Sequence, residues 1–285
     1  MLKRTLLLLT VLTAALAAPP ARALQWDDNA IRYWWGPAFS EPGNPNSVPK
    51  NILSFTHVDG YKWGGNFLNV DLLYSDSGKL DNVQGLTEVK SAGAAEVYIV
   101  YRHNLSLNKI TGSKAFEVGG VLRDVGIELG ADLNTKNNAF AARKIMPVGG
   151  LNASLNVPGF LNLGVLLDKE WNTNALPGVS KEVTFDVTPM FTAAWGIPLF
   201  GPIAFEGFAL ANLPKGKDGF GADTKTEVLL HPKVMIDLGP FWGSKGYQLG
   251  VGWEYWLNKF GNDNSAAFDA GDRQSTLFVE AAIHL

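Results

Sequence analysis

Phe67, Asn69 and Asp71, two residues apart, put a ring, an amide and a carboxylate on one side of a single extended segment. Successive side chains of a strand point to opposite faces. Leu68, Val70, Leu72 and Tyr74 therefore form the other face, which is fit for hydrocarbon. A ring, an amide and a carboxylate on one face can stack on and hydrogen-bond a small polar solute. Comparable polar faces recur along the chain. The candidate solute contacts are Phe67, Asn69, Asp71, Glu96, Tyr98, Arg102, Asp124, Glu128, Glu206 and Glu254, with Arg102 also a carboxylate partner. The competing role for each charge is simple neutralisation across a narrow interior.

Other chemistry finds little footing. His57, His103, His231 and His284 could act as bases, yet none sits in a G-x-S-x-G nucleophile motif. His103-Asn104 near Ser106 and the pair Asp27-Asp28 are the thin exceptions, and the pair reads as a solvated tail. With no cysteine there is no cysteine zinc site. Lys215-Gly216-Lys217 lacks the spacing of a phosphate-cradling loop. No catalytic residue, metal or cofactor is expected, and the chain reads as a non-enzyme.

The elements that must position these faces are strands. Period-two alternation is expected over 30–35, 51–58, 65–74, 93–105, 117–133, 140–148, 151–157 extended to 160–170, 182–195, 203–212, 225–238, 246–258 and 275–285. The split around Pro158 leaves the total near twelve, and an even count suits a closed barrel. On 182–195, Val183, Phe185, Val187, Phe191 and Ala193 are expected on the apolar face. Longer polar connections are expected at 36–50, 76–92, 134–139, 172–181, 213–224 and 259–274. Alternation alone fits a soluble sandwich as well as a membrane barrel, which inverts it. Three features favour the membrane: rings near strand ends, a last strand running to Leu285, and export without cysteine or a 20-residue apolar run. The expected fold is all-β, a single transmembrane antiparallel β-barrel of about 12 strands over 24–285.

Residues 1–23 carry Lys3 and Arg4, an apolar run to Ala18 and Ala21-Arg22-Ala23, the pattern of a cleaved signal peptide. Loss of Lys3, Arg4 and Arg22 leaves 21 of the 24 basic residues against 27 acidic ones, a net −6. That balance argues against nucleic acid as a partner. High glycine (31 residues) and 11% aromatics suit tight turns and interfacial rings.

The segment FTHVDGYKWGGNFLNVDLL at 55–73 resembles the T-H-x-D-G signature of the Tsx-like outer-membrane family, nucleoside-specific channel-forming proteins and their OmpK-type relatives. The blocks at 96–112, 123–140, 156–165, 205–221 and 250–262 resemble the "outer envelope protein" branch. The turn reads Gly64-Gly65-Asn66-Phe67 where the family carries an aspartate at position 65. The resemblance implies a monomeric 12-stranded barrel in the outer membrane of a Gram-negative bacterium. It would be inserted by the barrel-assembly machinery, meet outer-membrane lipid, and pass nucleosides or similar small solutes. A plugged barrel serving as a phage or bacteriocin receptor is the alternative, with an outer-membrane hydrolase and a soluble lectin-like sandwich behind it.

Overall fold

A computed structural model describes residues 24–75, 81, 94–138, 140–176, 178–243, 246–263 and 270–285. The expected leader at 1–23, and the expected loop at 76–92 apart from Asp81, lie outside these residues. Twelve antiparallel strands close on themselves: β1 (Leu24–Glu41), β2 (Asn44–Tyr61), β3 (Gly64–Ser75), β4 (Ala95–Ser106), β5 (Leu122–Lys136) and β6 (Arg143–Leu155). The ring continues through β7 (Phe160–Thr173), β8 (Glu182–Phe200), β9 (Ile203–Asn212), β10 (Glu227–Asp237), β11 (Tyr247–Leu257) and β12 (Gln274–His284). Because β1 pairs with both β2 and β12, the sheet has no open edge. A short helix, α1 (Leu107–Thr111), follows β4.

The ambiguity at Pro158 resolves as a turn that Gly159 closes with φ 75°, where an L side chain would be strained. The expected strands at 140–148 and 151–157 fuse into β6, which runs on through Gly149-Gly150. The largest correction concerns 36–50, where four prolines read as a loop. Strands β1 and β2 instead run to a two-residue turn at Pro42-Gly43. Pro37 falls at the register shift between Gly36 and Phe39, a position where a strand tolerates proline. Pro45 and Pro49 precede Lys50, where pairing with β3 begins, so no ladder on that side needs their N–H. Asp27-Asp28 is likewise no tail: it lies in β1, and Asp28 meets His284 Nδ1 at 2.9 Å.

The faces are inverted relative to a water-soluble protein. Outward residues such as Leu129, Leu151, Val165, Val251 and Leu277 are 50–70% exposed, whereas inward Lys50, Asp132 and Glu280 are 2–4% exposed. On β3 the expected faces hold: Asp71 bonds the inward Ser54, and Leu73 packs on the inward Trp34–Ile52 cluster. On β8 they do not. Between the Lys169–Val187 and Trp171–Thr184 pairs, two residues of β8, Phe185 and Asp186, answer one of β7, Glu170. This bulge turns Phe185 inward (5% exposed) while Val187 stays outward (60% exposed). Two apolar clusters also lie inside, Trp34, Phe39, Ile52 and Phe278 on one wall and Met146, Val148, Leu166 and Met190 on another.

Candidate functional site in the barrel interior

Alternation on seven strands brings one mixed cluster together inside the barrel. Asp71 on β3 accepts hydrogen bonds from Ser54 Oγ (2.5 Å) and Asn69 Nδ2 (2.8 Å), and Thr56 Oγ1 donates to Asn69 Oδ1 at 2.8 Å. Ser54 in turn accepts from Trp34 Nε1 at 3.2 Å. The Trp34 ring meets His231 of β10 edge-on at 5.2 Å. His231 is sandwiched by Phe208 (4.9 Å, 14°) and Phe278 (4.5 Å, 22°). Its Nδ1 shares a 2.8 Å hydrogen bond with Glu254, whose other oxygen accepts from Gln274 at 2.5 Å. Gly252 makes this stack possible: a Cβ there would stand 2.1 Å from a Phe278 ring atom. Phe208 faces inward yet is 40% exposed, so its ring is only partly covered inside the barrel.

A second, ionic cluster occupies the end that carries the 42–43 turn. Lys136 Nζ reaches Asp81 at 2.6 Å, Glu41 at 3.1 Å and Glu96 at 3.7 Å. Lys50 Nζ reaches Glu41 at 2.5 Å and both Asp81 and Glu96 at 3.7 Å. Lys259, in the β11–β12 connection, lies 3.6 Å from Glu41 and donates to Ser40 O at 2.7 Å. Burial pulls the Lys259 ammonium below the usual lysine range, with Glu41 opposing that shift. Lys215, in the β9–β10 connection, pairs with Glu170 at 2.5 Å and lies over the Phe185 ring. Asp81, Lys215 and Lys259 thus each bring a connection between strands into the barrel mouth.

The sequence-derived candidates are distributed as follows. Asn69, Asp71 and Glu254 belong to the ring cluster. Glu96 belongs to the mouth. Arg102 donates to Asp132 at 2.5 Å and lies 3.5 Å from Glu128, which also accepts from Asn152 at 2.8 Å. Tyr98 accepts from Lys144 Nζ at 2.6 Å. Glu206 stands 3.9 Å from both Arg32 and Lys233. Phe67 pairs with Val58 and Arg102 on the inward face and is 36% exposed. Asp124 stands apart at the opposite end, accepting from Ser106 Oγ and Asn108 N to hold the start of α1.

Trp34 and His231, and the lysines of the mouth, were not among the candidate solute contacts. Their inward parity was legible, but their convergence depends on barrel closure. The histidines considered as bases also separate. His57 and His103 face outward in a hydrogen-bonded set with Asn29, Asp59 and Asn66, and Tyr61 reaches His103 at 3.1 Å.

Fold and interior together define a closed twelve-stranded antiparallel barrel with an apolar outside and a charged, ring-bearing inside. The chain is similar in fold to the KdgM porin solved in complex with disordered oligogalacturonate, at 10% identity over 89% of this chain and 98% of that one, TM-score 0.44. It is also similar to the NanC porin (8% identity, 90% and 98% covered, TM-score 0.47). A third similarity is to the translocator domain of the autotransporter NalP from Neisseria meningitidis (10%, 99% and 94%, TM-score 0.42). No family model and no curated protein matches the chain.

Proposed function

We propose that this protein is an outer-membrane channel through which nucleosides or similar small polar solutes diffuse passively. The observation that carries the reading is the inverted barrel whose inward rings, Phe67 and Phe208, remain 36% and 40% exposed. An outward belt of large apolar side chains suits lipid, and a solvated interior with rings, amides and carboxylates suits a hydroxylated solute. The nucleoside assignment rests on the Tsx-like signature at 55–73 and on rings beside Asn69, Asp71 and Glu254. Export by a leader at 1–23, insertion by the barrel-assembly machinery and a monomeric state complete the reading. Purified protein in planar bilayers is expected to give small conductance steps that adenosine or thymidine blocks. Steps indifferent to both would reject nucleosides.

One feature favours a second reading. Asp81, Lys215 and Lys259 bring three connections into ion pairs at the mouth, as a plugged receptor barrel would. Folded protein without any conductance step would favour that role over the channel.

A further inference from the structure

We propose that the barrel favours cations and neutral solutes over anions, so that a solute carrying an amine enters more readily than one carrying a carboxylate; this rests on the channel reading above. Inward cations are matched locally. Arg32 and Lys233 both bind Glu280 (2.8 and 2.7 Å), Arg102 binds Asp132, and Lys215 binds Glu170. Lys50, Lys136 and Lys259 sit among the carboxylates of the mouth. Among the described inward residues, Lys144 alone has no carboxylate within 4 Å, its ammonium going to the Tyr98 hydroxyl.

The acids are not matched in return. Among the described residues, Asp71, Asp168 and Glu227 have no lysine or arginine within 4 Å, and Glu254 has only His231. Their partners are neutral donors: Ser54 and Asn69 for Asp71, and Trp256 Nε1 (2.7 Å) and the Phe260 N–H (3.1 Å) for Glu227. Neutral donors orient a carboxylate without cancelling its charge. Asp168 is 1% exposed, and among the described residues its oxygens take no well-formed hydrogen bond, Asn212 being the nearest amide partner. The surplus field inside is therefore negative, and a low-dielectric wall focuses it along the path. Phe208, 40% exposed and stacked on the His231 that bonds Glu254, adds a ring on which an organic cation can rest.

The test is the reversal potential of purified full-length barrel in planar bilayers under a KCl gradient. The expected permeability for K⁺ exceeds that for Cl⁻ by about tenfold. Asp71→Asn combined with Glu254→Gln should bring the ratio close to one while conductance steps persist, and Asp168→Asn should lower it separately. Lys217→Gln, on an exposed connection, should leave it unchanged. Heat-modifiable gel mobility identifies variants that fold. A wild-type ratio near or below one, or a ratio unmoved in all folded acid variants, overturns the inference and leaves the channel standing. A folded barrel that conducts nothing overturns both.

Discussion

Replacing Lys136 with methionine tests whether the mouth is held by charge. The Lys136 ammonium is the nearest cation to Asp81, at 2.6 Å, and it also reaches Glu41 and Glu96. Without it, Asp81 keeps only Lys50 among the described residues, at 3.7 Å, and three carboxylates share two described lysines. Removing one partner of a buried ion pair costs about 3–5 kcal/mol, because the remaining charge is uncompensated. Lys50 stays in place, so the expected loss is near the lower end, about 3 kcal/mol. The assay is urea unfolding from lipid vesicles, followed by the fluorescence of the nine tryptophans. The midpoint should fall with an unchanged slope. Adding Glu41→Gln removes one of the stranded charges, so the double variant should recover about 1–3 kcal/mol relative to the sum of the singles. A Lys136→Met barrel within about 0.5 kcal/mol of wild type, or strict additivity in the double variant, would refute the reasoning.

Further outcomes follow from the two faces and the ring cluster. Leu151→Arg, on the outward face, should destabilise the bilayer-inserted barrel by about 2–4 kcal/mol if it lies near the midplane; an unchanged unfolding midpoint would contradict the lipid-facing belt. Phe208→Ala should weaken nucleoside block about tenfold, equivalent to roughly 1.4 kcal/mol of ring stacking. The concentration for half-block in bilayers reads this directly. Gly252→Ala should cost about 1–3 kcal/mol, because its Cβ forces Phe278 off His231; equal stability would show that the ring has room to move.

What the sequence disclosed depends on whether the information was local. The faces of β3 follow from strict alternation, and a closed sheet follows from many alternating segments without a helical period. The prolines of 36–50 misled because proline marks a turn only where a ladder needs its N–H, and on the β3 side that is decided by β3 ending at Ser75, opposite Lys50. Phe185 misled because a single bulge opposite Glu170 shifts the faces beyond it. The mouth and the ring cluster were illegible for another reason. Lys50 meets Glu96, Lys136 meets Glu41, and Trp34 meets His231 across about 50 to 200 positions of chain, in a stagger fixed by closure. Asp124 shows the converse limit, since inward parity placed it on the interior face while its carboxylate serves the start of α1.

The central claim is that one face of the strands meets water and the other meets lipid. The chain contains no cysteine, so single substitutions report without background. Asn69→Cys and Asp71→Cys, reconstituted in vesicles, should react with a charged, water-soluble thiol reagent and lose conductance as they do. Leu68→Cys, Val70→Cys and Leu72→Cys should stay unreactive until the barrel is denatured. Labelling of the even positions with protection of 69 and 71 would contradict the account.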